Sequence, residues 1–220
     1  DPSSAQPDLR PVFEAIAAGD LALADARLER LRTRFPRFVA PDDLTAALAN
    51  LRVGNALDMA IAEGDPARLL QLPTEYPEAF ACPTPANIWR IADVVAETDQ
   101  GRELVPLYRG VVEECPEPSD RFFAIERSLV ELPLTDTALL LEIERQRPET
   151  ETDPARLADL DNRLAARQFT DAFQAGRSRT AANAALRAAQ PGPAIQLGYQ
   201  ALEGGNLGSA KRWFDRAIRW

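Results

Sequence analysis

The sequence predicts an all-α protein built from about six stacked helical hairpins, and three observations lead to this prediction. Alanine and leucine make up about three in ten of the 220 residues, whereas the strand-favouring residues valine and isoleucine are sparse. Glycine followed by aspartate or asparagine repeatedly separates two amphipathic segments. Prolines then close the pairs at positions 36, 77, 116, 148 and 191, a period of roughly 32 to 43 residues that is typical of stacked helical repeats.

The first hairpin is predicted from an apolar stripe and from its end signals. Residues 8–18 carry leucine, valine, phenylalanine and isoleucine at helical spacing. Gly19 stops this helix, and Asp20 is a suitable N-cap for the next one because its carboxylate accepts a hydrogen bond from the first turn. The second helix covers 21–35 and ends at Pro36.

The second hairpin contains a long helix followed by a short one. Asp42-Asp43 are expected to cap the long helix, and Gly64-Asp65-Pro66 ends it and starts the next, since proline is favoured at the first helical position. Pro73 is expected to truncate the short helix. The linker 74–83 should be irregular because it contains two further prolines.

The third hairpin shows the same signals, and the fourth shows them with less regularity. Thr84-Pro85 is expected to open the fifth helix as a cap followed by proline. The sixth helix follows Gly101 and ends at Cys115-Pro116. A fourth pair is predicted over 119–132 and 135–147.

The last two hairpins are the most clearly delimited. Asp153-Pro154 caps a long helix that ends at Gly176. The next helix has alanine along one side, which permits close approach of its neighbours, and Pro191-Gly192-Pro193 is expected to separate it from the final pair. These four helices are predicted over 154–175, 179–190, 194–203 and 207–220.

The final pair resembles a tetratricopeptide repeat, whose signature combines Leu-Gly in the first helix with alanine and an aromatic residue in the second. The matching residues are Leu197-Gly198, Ala201, Gly205-Asn206-Leu207, Ala210, Phe214 and Ala217. The segment departs from the signature at Ala194, where the family has tryptophan, and its closing proline would lie beyond Trp220. Earlier pairs match more loosely, and the pair over 119–148 barely matches.

This resemblance implies a right-handed α–α superhelix, or solenoid, that covers 1–220 as one domain and is clearest over 194–220. The family implies a non-catalytic scaffold that holds a protein partner, a peptide segment or a subunit, in a concave groove. The unequal, alanine- and arginine-rich repeats also resemble the periplasmic repeat arms of bacterial exopolysaccharide exporters of the cellulose type. A periplasmic or envelope location, with polysaccharide as a further partner, is the corresponding expectation.

In this repeat class the first helix of each pair lines the groove, and the corresponding positions here carry carboxylates and aromatic rings. They are Asp58, Trp89, Asp93, Glu97, Tyr199 and Glu203. Trp89, followed at helical spacing by Asp93 and Glu97, could hold a basic peptide or a sugar chain. The alternative is that Trp89 packs against a neighbouring hairpin as part of the core.

Two cysteines flank the third hairpin, Cys82 before its first helix and Cys115 after its second. An antiparallel hairpin brings those two ends together, so a disulfide is geometrically possible. The alternative is two unconnected loop residues. A disulfide would favour an oxidising compartment.

The end of the chain presents a further candidate surface. Trp213, Ala217 and Trp220 form one stripe of the last helix, and no polar capping helix follows them. We therefore expect either that the natural protein continues past Trp220 or that this stripe is an interface. The basic cluster of Lys211, Arg212, Arg216 and Arg219 is interpreted as a solvated helix face near the negative end of the helix dipole. The acidic tract from Glu113 to Glu117 is interpreted as a solvated loop.

Composition excludes several classes of function. The chain has no histidine and only two cysteines, so it lacks the base of a Ser-His-Asp triad and the ligands of a zinc or iron–sulfur site, and no metal or cofactor is expected. A net charge of −9 argues against nucleic acid and against an anionic membrane surface as partners. Paired carboxylates in an α/α toroid glycosidase remain as the enzyme alternative, which the short connections oppose.

Overall fold

The computed structural model describes residues 7–82 and 85–220, and it confirms the all-α class. Twelve α-helices and two short 3-10 segments, Pro77–Phe80 and Gly101–Leu104, account for the regular structure, and no strand occurs among the described residues. The helices are α1 Arg10–Ala17, α2 Leu21–Arg34, α3 Asp42–Glu63, α4 Pro66–Glu75, α5 Ala86–Val95, α6 Val105–Glu114, α7 Pro118–Glu131, α8 Leu134–Arg145, α9 Pro154–Gln174, α10 Ser178–Ala188, α11 Pro191–Glu203 and α12 Leu207–Arg219.

These helices belong to two compact units. The first unit contains residues 7–80 and Trp89–Val94. The second contains residues 81–82 and 85–88 together with Val95–Trp220. Most of α5 therefore belongs to the first unit, although its two ends belong to the second. The expectation of one continuous solenoid over 1–220 stays a prediction.

The first unit is organised around the antiparallel pair α1–α2, against which α3 packs. Its turn follows the predicted chemistry: Gly19 adopts a φ of +73°, and the Asp20 side chain accepts a 2.8 Å hydrogen bond from the backbone nitrogen of Leu23. The cluster of buried side chains between the helices consists of Val12, Ala15, Ala24, Leu28, Leu44 and Leu48.

Prolines account for two corrections to the predicted helices. Pro73 does not truncate α4, which continues to Glu75. The proline nitrogen cannot donate a helical hydrogen bond, but the burial of Leu69 and Leu72 stabilises the helix around it. Residues 191–193 do not separate α10 from α11 but form the first turn of α11, where the absent proline donors cost little.

The N-caps predicted for α3 and α5 have different outcomes. The N-cap of α3 is Pro41, so Asp42 and Asp43 lie within the first turn, where their charge complements the helix dipole. Thr84, the predicted cap of α5, lies outside the described residues. The linker after α4 is not wholly irregular, since it includes the 3-10 segment Pro77–Phe80.

The C-terminal part of the second unit is packed through small side chains. Helix α10 presents Ala181, Ala184 and Ala185, all fully buried, to α9 and α11. Phe169 of α9 and Leu197 of α11 fill the same cluster. The alanine stripe that the sequence predicted therefore allows the close helix approach expected of it.

Helices α11 and α12 pack closely where Gly198 faces Phe214. A Cβ placed on Gly198 would lie only 2.6 Å from the ring of Phe214, closer than any normal contact. The ring of Phe214 also meets Tyr199 edge-on, with 5.2 Å between ring centroids. Glycine is therefore required here for its lack of a side chain, while Gly205 forms the turn with a φ of +72°.

We predict opposite effects of alanine at two helical glycines. Gly198→Ala should lower the free energy of unfolding by about 1–2 kcal/mol. The steric clash of the new methyl group with Phe214 costs more than the higher helix propensity of alanine contributes. Gly110→Ala in α6 meets no atom within 4 Å and should raise it by about 0.5–1 kcal/mol. Urea denaturation of both variants measures the difference, and equal shifts of the same sign would contradict the close packing of α11 on α12.

Candidate functional site

Three of the six predicted groove residues lie in the first unit. Asp58 on α3 is exposed and forms an ion pair with Arg90 on α5. Trp89 is half-buried and Asp93 exposed on the same α5 helix. The carboxylate of Asp58 thus already has a cationic partner within this unit, which the sequence did not indicate.

The other three groove residues lie in the second unit. Glu97 lies in the turn after α5, which ends at Val95, so the predicted helical spacing holds from Trp89 to Asp93 but does not extend to Glu97. Tyr199 and Glu203 are both exposed and one turn apart on α11. Tyr199 is 57% exposed even though its ring contacts Phe214.

The predicted stripe at the end of the chain is divided between the interior and the surface. Trp213 is half-buried and packs against the α9–α11 cluster that includes Phe169 and Leu197. Ala217 is half-buried, and Trp220 is 39% exposed. Trp213 therefore faces the preceding helices, and only Trp220 of the three offers a large exposed surface.

A different apolar surface, which the sequence analysis missed, is exposed on the last hairpin. It is formed by Ile195, Tyr199, Leu202, Leu207 and Ile218, and we call it the apolar end face. Its first three members follow i, i+4, i+7 spacing on α11, which was the available signal. The two helices adjoin here, because Tyr199 contacts Phe214 and Ile218 follows Phe214 by one turn of α12.

A disulfide bond joins Cys82 and Cys115, whose Cα atoms are 5.2 Å apart. Cys115 is fully buried at the C-cap of α6. Because the bond closes a loop of 33 residues, its contribution to stability through the unfolded chain is about 3–4 kcal/mol.

A buried ion pair lies next to Cys115. Arg121 of α7 and Glu144 of α8 are 1% and 0% exposed, and the guanidinium donates to both carboxylate oxygens of Glu144 at 2.7 and 3.1 Å. Its other three N–H groups donate to the backbone oxygens of Cys115 (2.9 Å), Pro116 (2.6 Å) and Glu151. All five donors of Arg121 are therefore satisfied.

Two further side chains complete this network. Thr152 donates to Glu144 at 2.7 Å, and Arg147 lies 3.2 Å from the same carboxylate. Arg147 also donates to the backbone oxygens of Val112 (2.6 Å) and Glu113 (2.7 Å) at the end of α6. The end of α6, the start of α7 and the linker after α8 are thereby joined by hydrogen bonds to buried charges.

A second, partly buried network connects α6 and α7. The Tyr108 hydroxyl donates to Glu131, which also accepts from Arg127 at 2.6 and 2.9 Å. Burial, and next the hydrogen bond to Glu131, raise the pKa of the Tyr108 phenol well above its ordinary value of 10. Tyr108 is therefore held neutral in the folded protein, as a structural donor.

The chain matches no protein-family model, no curated protein and no solved structure. Within residues 7–82 and 85–220, no group of three or more metal-ligating side chains comes together, and no helix is both long and apolar enough to cross a membrane.

We predict that the buried pair is sensitive to removal of its cation. Arg121→Met should lower the free energy of unfolding by about 3–5 kcal/mol, because Glu144 loses its principal partner in the interior. Arg109→Met removes an exposed i, i+4 ion pair with Glu113 and should change stability by less than about 0.5 kcal/mol. Urea denaturation at neutral pH measures both, and similar losses in the two variants would refute a special role for Arg121.

We predict a loss of stability at alkaline pH that depends on Tyr108. Its pKa is raised in the folded state, so its contribution is complete below pH 10 and falls by about 1.4 kcal/mol per pH unit as the pH rises above the unfolded value. Tyr108→Phe should flatten this decline, whereas Tyr199→Phe, at an exposed position, should not. The two cysteines do not titrate there, because they are bonded to each other. Identical alkaline slopes in the wild type and in Tyr108→Phe would count against this assignment.

Proposed function

We propose that the chain is a tetratricopeptide-like α-solenoid that acts as a non-catalytic protein–protein interaction scaffold. The observation that carries this proposal is the apolar end face of α11 and α12. Soluble proteins rarely expose contiguous apolar surface without a partner to cover it, and helical repeats cover such a stripe with the next helix of the stack.

Two features support a continuing stack in particular. Ile218 is 84% exposed and Leu207 69% exposed on α12, next to the stripe of α11. The close contact between Gly198 and Phe214 has the small-residue and aromatic chemistry of the repeat signature. We therefore propose that an amphipathic helix, from a further repeat or a partner subunit, covers the apolar end face.

The predicted groove residues are a second proposal, made for each unit by itself. In the first unit, a peptide segment of the partner would be bound by Asp58, Trp89 and Asp93. In the second unit, it would be bound by Glu97, Tyr199 and Glu203. We also propose a periplasmic location, because the disulfide is of the kind that persists in oxidising compartments, with polysaccharide secretion as the process that the scaffold serves.

Site-specific photo-crosslinking in the native host tests the scaffold. A benzophenone amino acid at Tyr199, Leu202 or Ile218 should yield one discrete crosslinked product, because these side chains would contact the covering helix. The matched control position is Val130 on α7, which is 75% exposed and lies outside the apolar end face.

The pattern of crosslinks shows whether the apolar end face is covered by another helix. A product common to the three end-face positions and absent at Val130 supports the proposal. The absence of a product at all three positions, or the same products at Val130, would contradict a covered end face.

A further inference from the structure

Charge is unevenly distributed along this acidic chain. Residues 162–220 contain nine basic and three acidic residues, whereas residues 1–161 contain 16 basic and 31 acidic residues. The last part of the chain therefore carries a net charge of +6 within a protein of net charge −9. A local field of this sign attracts anionic groups over about one Debye length, roughly 8 Å at physiological salt.

Part of this positive charge lines a groove along α12. The groove has a volume of about 340 Å³ and is lined by Ser209, Arg212, Trp213, Asp215, Arg216 and Arg219, which we call the basic groove. Its three arginines follow i, i+4, i+7 spacing, so their side chains are stacked along one side of the helix over about 10 Å.

The charge of these arginines is not balanced within the second unit. The only carboxylate of α12, Asp215, forms its ion pair with Lys211 at 2.6 Å. No carboxylate among the described residues lies within ion-pair distance of Arg212, Arg216 or Arg219. Elsewhere in this unit, arginines such as Arg109 and Arg145 are paired with neighbouring carboxylates.

Arg216 is held in place by two aromatic rings. Its guanidinium lies 5.5 Å from the ring centroid of Trp213 and 6.0 Å from that of Trp220. Stacking on these rings restricts the side chain while its N–H groups stay available in the plane of the guanidinium. Such an arginine is suited to bind a carboxylate through two parallel hydrogen bonds.

We propose that the basic groove binds an Asp/Glu-rich segment of a partner protein. Carboxylates one turn apart on a helix, or on alternate residues of an extended segment about 6–7 Å apart, match the spacing of the three arginines. A short acidic segment needs only these three contacts. A long polyanion such as nucleic acid would also be repelled by the net charge of −9 of the whole chain, which disfavours it.

This inference does not depend on the scaffold proposed above. Leu207 and Ile218 of the apolar end face lie on a different side of α12 from Arg212, Arg216 and Arg219, as the 100° rotation per helical residue requires. Failure of one surface to bind would leave the other unaffected.

Fluorescence anisotropy with a short labelled peptide of alternating glutamate and alanine tests the proposal. The wild type should bind this peptide with an affinity that falls as salt rises, and it should not bind the glutamine–alanine version. The triple variant R212Q/R216Q/R219Q should bind about tenfold or more weakly. The matched control R30Q/R34Q/R37Q removes the same charge from exposed positions of the first unit and should bind like the wild type.

Three outcomes would overturn the proposal, once thermal melting shows that both triple variants are folded. Equal weakening in the two triple variants would mean that only net charge matters. Tighter binding of a single-stranded oligothymidylate than of the glutamate peptide would make nucleic acid the occupant. Self-association in sedimentation that is lost only in the groove variant would make a second copy of this chain the occupant.

Discussion

The middle of the second unit depends on one buried charge, the guanidinium of Arg121. A charged group that is buried away from water is stable only when all its hydrogen bonds are made within the protein. Arg121 donates to a carboxylate of α8 and to backbone carbonyl groups of two separate chain segments. The observed arrangement of α6, α7, α8 and the following linker satisfies all five donors. The pair therefore joins these segments, and loss of Arg121 would leave Glu144 buried without its principal partner.

The disulfide reinforces the same region by a different physical route. Arg121 donates to the carbonyl oxygen of Cys115, so the bonded cysteine and the buried ion pair hold the same end of α6. Helices α9 to α12 contain no comparable buried charge among the described residues and pack instead through alanine, glycine and aromatic side chains. The second unit thus joins a polar network to a tightly packed apolar part.

Much of the helical architecture could be predicted because it rests on local chemistry. The turns at Gly19 and Gly205 combine a positive φ with an Asp or Asn side chain that caps the next helix. The effect of a proline on a helix is less predictable, because it depends on the position of the proline in the helix and on the packing around it. At Pro73 the buried neighbours hold the helix together, and at Pro191 the same residue type starts a helix.

The sequence by itself determined the all-α class, most helix ends and the concentration of positive charge in residues 162–220, because each depends on residue type and short-range spacing. Only the tertiary structure decided that Arg121 pairs with Glu144, 23 residues away, and that Trp213 faces the core while Ile195, Tyr199 and Ile218 stay exposed. Helical periodicity shows that a face is apolar. Which neighbour covers that face, if any, is set by packing between helices that lie far apart in the chain.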